Sequence, residues 1–220
     1  MGTEASKTKA IWGPEILNLL HGDGIDIGCG ADPILPTVDC FDQPQGDANL
    51  ITQYVHKRYD FVFASHSLEH MREPYAALKE WFALLKPGGH LIALVPDEDL
   101  YEQGFFPSAF NPDHKATFTV SKARSWSPCS INVLDLARSV DAEVVSVTLQ
   151  DQGLDRRLLN PGASRWGRRL GRWASKLGRR FPAQEVAIAR SLRRWGALVD
   201  QTGFADGRLA QIQFVLKKRI

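Results

Sequence analysis

Short apolar runs alternate with helical patterns between residues 24 and 95, and this alternation predicts a parallel sheet covered by helices. In the helical pattern before the last run, Pro74 occupies the tolerated first position of a helix, and Gly88-Gly89 ends the pattern. This part of the chain therefore predicts an α/β fold. The apolar runs predict strands at Gly24–Ile27, Thr37–Phe41, Tyr59–Ser65 and His90–Val95.

The later part of the chain extends the same sheet. Ile131–Val140 has the pattern of a helix, and Ala142–Leu149 and Leu209–Leu216 have the pattern of strands. We expect these two strands to be antiparallel or edge additions to the sheet.

The connection between the first two predicted strands is unusually short. It contains only Gly28–Pro36, whereas a parallel crossover normally needs a dozen or more residues and a helix. We therefore predict a shortened first crossover without a full helix. Another segment, either the region around Trp12 or the basic hairpin described next, should cover the face of the sheet left open.

Two amphipathic patterns, separated by Phe181-Pro182, lie between residues 151 and 202 and predict a C-terminal helical-hairpin insertion. We assign residues 1–150 with 203–220 to the α/β domain, and residues 151–202 to a basic insertion that serves as a lid or a surface-binding element. The apolar residues recur at spacings of four, three and four, at Trp166, Leu170, Trp173 and Leu177 and again at Ile188, Leu192, Trp195 and Val199.

The charge of the chain is balanced overall but uneven along its length. Its net charge is +2, from 27 basic and 25 acidic residues, yet no acidic residue lies between Arg156 and Arg180. Three interpretations of this segment stay open: a solvated face of a packed hairpin, a contact of residues 156–180 with an anionic membrane, or nucleic-acid binding. Nucleic acid is the least favoured, because the remainder of the chain is acidic.

Composition indicates a globular protein in a reducing compartment. The chain is 44% hydrophobic and 24% charged, and no apolar stretch approaches the length of a membrane span. Met1–Lys9 is polar and lacks the apolar segment of a secretory signal. Its three cysteines, Cys29, Cys40 and Cys129, form neither an even disulfide set nor a CxxC pair. We expect a cytoplasmic protein that can also contact a membrane peripherally.

The glycines after the first predicted strand indicate a ligand site. Gly28 and Gly30 allow positive φ angles and let a ligand approach the backbone, although a tight turn alone could also use them. The third glycine of a dinucleotide fingerprint and the Gly-Lys-Ser/Thr of a P-loop are both missing. The pattern therefore favours a nucleoside without a pyrophosphate.

Two acidic residues follow at suitable positions. Asp39 ends the predicted second strand, where its carboxylate could accept hydrogen bonds from two ribose hydroxyls, and Asp47, before Ala48, could accept one from an exocyclic amine. Taken alone, each is better interpreted as an ordinary surface acid. In order after the glycines, they predict a nucleoside site at the carboxyl ends of neighbouring strands.

At this point the sequence resembles class I S-adenosylmethionine-dependent methyltransferases. The resemblance implies a Rossmann-like, seven-stranded, mostly parallel sheet whose last strand inserts antiparallel. It also implies S-adenosyl-L-methionine as cofactor and S-adenosylhomocysteine as product. The residues that carry it are Ile25-Asp26-Ile27-Gly28-Cys29-Gly30, Val38-Asp39, Gly46-Asp47-Ala48, Tyr59-Asp60-Phe61-Val62-Phe63, Ser67-Leu68-Glu69-His70 and Leu85-Lys86-Pro87-Gly88-Gly89-His90-Leu91.

The resemblance also assigns roles within the site. The methionine part of the cofactor would lie near Gly28 and Gly30, Asp39 would hold the ribose, and the residues around Ser65 and His66 would face the sulfonium and the substrate. The cofactor-binding residues implied in this way are Asp26, Gly28, Gly30, Asp39, Asp47, Ala48 and Ser65.

Methyl transfer needs no protein nucleophile, but an alcohol acceptor benefits from a base, for which histidine is suited. His66 follows the third strand, and His114 lies in the loop where such enzymes form their acceptor site. A solvent-exposed loop is the alternative for His114. We take His66 and His114 as candidate catalytic residues, His114 first, and His70 as a structural or cofactor-side residue.

We therefore predict methyl transfer to the oxygen of a small molecule or saccharide. N-methylation of a small amine and a non-catalytic cofactor-binding interaction module are the alternatives. Asp97, Glu98 and Asp99 raise the question of a cation site. We prefer a solvated acidic loop and predict no metal, because the sequence has no His-rich pattern.

Overall fold

A six-stranded sheet forms the centre of the molecule. The computed structural model describes residues 4–120 and 122–220. The strands are β1 (Gly24–Ile27), β2 (Asp39–Phe41), β3 (Tyr59–Ser65), β4 (Leu85–Pro96), β5 (Thr117–Thr119), β6 (Ser130–Asn132), β7 (Ala142–Gln150) and β8 (Gln211–Lys218). In the described residues the main sheet has the strand order β2-β1-β3-β4-β8-β7, and β5 pairs with β6 in a separate parallel sheet.

The topology confirms the predicted α/β fold class. The pairs among β1, β2, β3 and β4 are parallel, and β8 inserts antiparallel between β4 and β7. The helices are α1 (Glu4–Lys9), α2 (Pro14–Leu17), α3 (Pro74–Ala83), α4 (Val133–Ala137), α5 (Arg165–Arg180) and α6 (Glu185–Arg194), with shorter helical turns at Ala48–Gln53, Leu68–His70, Glu98–Glu102, Arg156–Leu158 and Pro182–Gln184.

The resemblance implied a sheet of seven strands, but in the described residues the main sheet has six strands. Between β2 and β3 the chain forms the short 3₁₀ helix at Ala48–Gln53 instead of an additional strand. The Asp47 side chain accepts the backbone N–H of Asn49 and starts this turn. β2 is consequently an edge strand.

The first crossover is short, as predicted, and the residues between β1 and β2 form turns without a helix. The open face of the sheet is covered by the segment around Trp12, one of the two covers that the sequence suggested. Trp12 and Ile16 pack in the same buried cluster as Phe61 and Phe63, and the Trp12 and Phe63 rings meet edge to face with centroids 5.9 Å apart.

The opposite face of the sheet carries the larger core. The α3 residues Ala77, Leu78 and Trp81 are fully buried there, as the apolar stripe of this helix predicts. β4 begins at Leu85, five residues before its predicted start at His90. The turn-like composition of Lys86-Pro87-Gly88-Gly89 predicted a break before the strand, but these residues lie inside β4. The pairing of β3 with β4 accommodates them by a register shift between Tyr59 and Phe61.

The insertion between β7 and β8 has a small core of its own, which includes Leu158, Ala189 and Val199. Helix α5 approaches the segment after α6 through two glycines. A Cβ on Gly167 would lie 2.1 Å from Gly196 O, and one on Gly171 would lie 1.7 Å from Leu198 O. The close approach therefore requires glycine at both positions.

This glycine-mediated packing turns the α5 tryptophans outward. Trp166 and Trp173 are 71% and 75% exposed, and Leu177 is 43% exposed. The expectation that the matched apolar stripes pack against each other is therefore wrong for these residues, because Gly167 and Gly171 form the buried side of α5 instead. No helix in the described part of the chain is long and apolar enough to span a membrane.

Candidate functional site

A cavity of about 560 Å³ opens at the carboxyl ends of β1, β2 and β3. Its size lies within the range of small-molecule sites, and it occupies the edge at which open α/β sheets bind ligands. Its walls come from the loops after these three strands and from one later loop, with the residues Ile27, Gly28, Phe41, Asp42, Gln43, Gly46, Asp47, Ala48, Asn49, His66, Ser67, His70, Met71, Asp113 and Lys115.

The turn at Gly28-Cys29-Gly30, called the glycine corner below, separates this larger cavity from a smaller one of about 200 Å³. Gly28 has a φ of 80°, and a Cβ there would lie 2.0 Å from Ser67 Oγ. Gly30 has a φ of 53°, and the space where its Cβ would stand is open. Both glycines are therefore needed for the turn, and at Gly30 the backbone is open to an approaching group.

Asp42 lines the larger cavity, whereas Asp39, to which the sequence assigned the ribose, is not among its lining residues. β2 begins at Asp39 and ends at Phe41, where the predicted strand Thr37–Phe41 also ends, so Asp39 lies at the start of the strand and not at its carboxyl end. Asp39 is exposed and binds Lys57 Nζ and Tyr59 Oη at 3.1 and 3.0 Å. Asp42 lines the larger cavity, and its Oδ2 accepts the Gly30 N–H at 3.0 Å.

Asp47 and Ala48 lie in the wall of the larger cavity, together with Asn49. Asp47 accepts hydrogen bonds from Asn49 and from Arg72 Nη2, the latter at 2.6 Å. These hydrogen bonds, led by the one from the Asn49 side chain, lower the pKa of Asp47 to about 2. Asp47 is thus an ionised acceptor at neutral pH.

Asp26 and Ser65 face the smaller cavity. Burial raises the pKa of Asp26 to about 7, against the opposing effect of a 2.8 Å hydrogen bond from the Ile34 N–H. The buried Ser65 Oγ has no hydrogen-bond partner among the described residues. An uncompensated buried hydroxyl is costly, so Ser65 is suited to a polar group of a ligand.

His66 lines both cavities. Its φ of 51° is unusual for a residue with a side chain. Gln211 donates its amide hydrogens to Thr8 Oγ1 and Gln150 Oε1, so its Oε1 is the acceptor for the His66 Nε2–H, at 2.7 Å. The ring is therefore held in one orientation at the boundary between the cavities.

His114 lies behind the cavity wall rather than in it. It is buried, and its Nδ1 is 2.6 Å from Glu102 Oε1, while its Nε2 is 3.9 Å from Glu69 Oε1. Glu69 is fully buried, and its Oε1 is also 3.4 Å from His66 Nδ1. Burial raises the pKa of the Glu69 carboxyl, but the neighbouring imidazoles, first that of His66, hold this pKa below its ordinary value. The two candidate catalytic histidines are thus joined through Glu69.

The sequence analysis did not select Asp42, Glu69 or Glu102 as site residues. Glu69 stands in the Ser67-Leu68-Glu69-His70 motif, so its position beside His70 was a usable signal. Glu102 lies in a helical turn that no sequence pattern had indicated, and its contact with His114 is visible only in the fold.

The acidic loop after β4 is taken up by structural contacts. Asp97 caps the turn at Glu98–Glu102, and Glu98 binds Lys122, Ser130 and other neighbours. Asp99 contacts Lys122 and accepts the Trp126 indole N–H. Asp97 and Glu98 are buried, so the expectation of a solvated acidic loop is wrong for these two residues.

The residues at the two cavities fit S-adenosylmethionine. The open space at Gly30 and the unpaired Ser65 hydroxyl suit the methionine part, and Asp26 is an additional acceptor there. The ionised Asp47 and the neighbouring Ala48 suit an adenine ring, and Asp42 lies between these two regions.

Comparisons with known proteins agree with this interpretation. A family model for a methyltransferase domain matches residues 6–205. A candidate sarcosine dimethylglycine methyltransferase from Galdieria sulphuraria superposes with a TM-score of 0.52 at 13% identity, over 98% of this chain and 85% of that chain. A candidate methyltransferase from Bacillus halodurans C-125 gives 0.52 at 13% identity, over 94% and 100%.

A third solved structure, a SAM-dependent methyltransferase from Archaeoglobus fulgidus, gives a TM-score of 0.50 at 13% identity, over 99% of this chain and 95% of that chain. At these identities the likeness shows the fold. The search of curated protein sequences found no match. The family match spans most of the chain, and the chain therefore belongs to the methyltransferase-domain family, as a class I S-adenosylmethionine-dependent enzyme.

Proposed function

We propose that this enzyme methylates a hydroxyl oxygen of a small molecule or saccharide. The observation that carries the proposal is His66, an oriented imidazole at the boundary of the two cavities with a buried carboxylate beside it. An alcohol is a poor nucleophile until it loses its proton, whereas a neutral amine needs less help from a base. When bound, S-adenosylmethionine supplies a methyl group on a positively charged sulfur.

The residues around His66 suit it to receive the acceptor's proton. Gln211 fixes the ring through Nε2. Because Nε2 carries the hydrogen that Gln211 accepts, Nδ1 is the nitrogen that receives the acceptor's proton. The proton places a positive charge 3.4 Å from Glu69 Oε1, and the carboxylate stabilises this charge. The fixed ring and buried partner follow the general logic of a base oriented by a third group.

For the cofactor, we propose that Asp42 holds the ribose and that Asp47 with Ala48 holds the adenine. Gly28 and Gly30 would then leave room for the methionine part, near Asp26 and Ser65. These roles are those predicted from the sequence, except that Asp42 replaces Asp39 as the ribose-binding residue. The reason is that Asp42 lines the cavity and Asp39 does not.

A His66→Asn variant tests the role of the imidazole. Asparagine tolerates the positive φ of this position, so the backbone should be preserved. Loss of the base is expected to lower kcat by about 10²- to 10⁴-fold, with affinity for S-adenosylhomocysteine nearly unchanged. The rate is measured with labelled methyl donor and a panel of sugars, phenols and amines, and the exposed His56→Asn variant is the control.

An O-methylated product together with a slow His66→Asn enzyme supports the proposal. A methylated amine formed at the same rate by the wild type and by His66→Asn would favour the alternative of N-methylation.

We further propose that helix α5 holds the enzyme on an anionic membrane surface. Trp166, Trp173 and Leu177 form an exposed apolar stripe, and the exposed residues beside it are basic. The helix contains no acidic residue. Tryptophan flanked by arginine and lysine is typical of helices that lie in the lipid headgroup region.

Vesicle flotation tests this contact. The protein should float with vesicles that contain phosphatidylserine, and less so as salt rises, because arginine attraction to lipid is screened. Trp173→Ala should weaken the binding by about tenfold, as expected for losing one buried aromatic side chain, while Tyr75→Ala on α3 serves as the matched control. Equal flotation of both variants, or binding to duplex nucleic acid in preference to vesicles, would contradict the proposal.

A further inference from the structure

Three side chains form a compact group at and behind the wall of the larger cavity: Glu69, His70 and His114. One carboxylate or imidazole atom from each lies within 4.8 Å of those of the other two. Glu69 Oε1 and His114 Nε2 are 3.9 Å apart. Ligand atoms of a tetrahedral zinc ion lie about 3.4 Å apart, given bonds of about 2.1 Å. Small side-chain movements would therefore bring the three atoms around one ion.

Both histidines are held by carboxylates through Nδ1. His114 Nδ1 is 2.6 Å from Glu102 Oε1, and His70 Nδ1 is 2.9 Å from Asp113 Oδ2. A carboxylate accepts a proton-bearing nitrogen, which leaves the lone pair on Nε2. Pairing of this kind is typical of metal-binding histidines, because it fixes the tautomer and the ring orientation.

The buried carboxylates in and beside the group favour a bound cation. Glu69 and Glu102 are both fully buried, and both Glu69 oxygens lack a hydrogen bond within the described residues. In this part of the chain their ion-pair contacts are with histidines only. Two buried carboxylates are unfavourable unless positive charge lies beside them.

The backbone also keeps the three residues together. The Lys115 N–H donates to Glu69 O at 2.7 Å, and Lys115 Nζ donates to His70 O at 2.6 Å. The loop that carries His114 is thereby tied to the turn that carries Glu69 and His70. The group is consequently assembled before any ligand binds.

We propose that Glu69, His70 and His114 bind a divalent transition-metal ion of the zinc class through one carboxylate oxygen and two Nε2 atoms. Two imidazoles, one carboxylate and an open position are the ligand set of catalytic zinc sites. His70 lines the larger cavity, so the open position faces it. If the proposed function holds, an ion there would polarise the acceptor oxygen.

The sequence analysis expected no metal because these three residues form no recognised metal-binding motif. Glu69 and His70 are neighbours in one turn, and His114 comes from a distant loop. The fold brings them together.

Calorimetric titration of the chelator-treated protein with zinc chloride tests the site. We expect one ion per chain with micromolar or tighter affinity, and a visible absorption of four- or five-coordinate cobalt when Co²⁺ replaces Zn²⁺. The titration needs neither methyl donor nor acceptor, so its failure is distinct from failure of the proposed function. No stoichiometric binding by the wild type would overturn the inference.

Variants locate the ion. Glu69→Gln, His114→Ala and His70→Ala should each weaken binding by about 100-fold, and Glu102→Gln by about 10- to 100-fold through loss of ring orientation. His56→Ala is the matched control and should bind as the wild type does. Because Glu69 and His114 are buried, His70→Ala decides the question if their variants fail to fold. Undiminished binding by His70→Ala, or binding lost only on replacing Cys29, would overturn the proposal.

Discussion

An Asp42→Ala variant is expected to bind S-adenosylhomocysteine about 10- to 100-fold more weakly than the wild type, whereas Asp39→Ala should bind it nearly as well. Hydrogen bonds to an ionised group contribute about 1.5 to 3 kcal/mol each. Asp42 lies at the cavity and fixes the Gly30 N–H, while Asp39 is exposed and engaged by Lys57 and Tyr59. Isothermal titration calorimetry measures both affinities.

The two variants control for each other, since each removes one carboxylate from the same short stretch of chain. Unliganded melting curves show whether Asp42→Ala has merely unfolded the glycine corner. Asp42→Asn keeps an oxygen for the Gly30 N–H and removes the charge, so its affinity should be intermediate. If instead Asp39→Ala lost the ligand and Asp42→Ala retained it, the ribose assignment made here would be wrong.

Asp26→Asn is expected to make the free energy of unfolding less dependent on pH. The folded-state pKa of about 7 lies above the ordinary value of 3.8. Between these values the folded chain keeps the proton that the unfolded chain loses, so the contribution of Asp26 to stability is present at low pH and is lost as pH rises through 7. The full difference corresponds to a stability change on the order of 4 kcal/mol.

The free energy of unfolding of Asp26→Asn minus that of the wild type should therefore be larger at pH 8 than at pH 4. The asparagine amide oxygen can still accept the Ile34 N–H that Asp26 accepts. Urea unfolding across this range measures the effect, and Asp141→Asn, at an exposed position, is the control. Parallel curves for Asp26→Asn and the wild type would show that folding does not raise the pKa of Asp26.

The sequence predicted those parts of the fold that local patterns determine. β1 and β3 were predicted with the bounds that the structure gives them, because each is an apolar run between polar or turn residues. The short crossover followed from counting residues, and the cover by Trp12 was one of two covers that the sequence left open. The sequence also predicted the location of the cavity, because Gly28 and Gly30 follow directly after β1 and let a ligand approach the backbone there.

The remainder depends on contacts that no local pattern contains. The choice between Asp39 and Asp42 depends on where β2 ends, which its pairing with β1 determines. The outward direction of Trp166 and Trp173 depends on the close backbone approach at Gly167 and Gly171. An amphipathic pattern gives the spacing of a stripe, but the neighbouring segment decides which side is buried.

The pairing of Gln150 with Gln211 has a consequence for how new specificities arise in such enzymes. β7 ends and β8 begins at this pair, so the whole insertion leaves and re-enters the sheet at one point. Antiparallel neighbours can be joined by a turn of two residues. A different insertion can therefore be grafted at this junction without changing strand register, and the membrane contact proposed for α5 can evolve independently of the methyl-donor site.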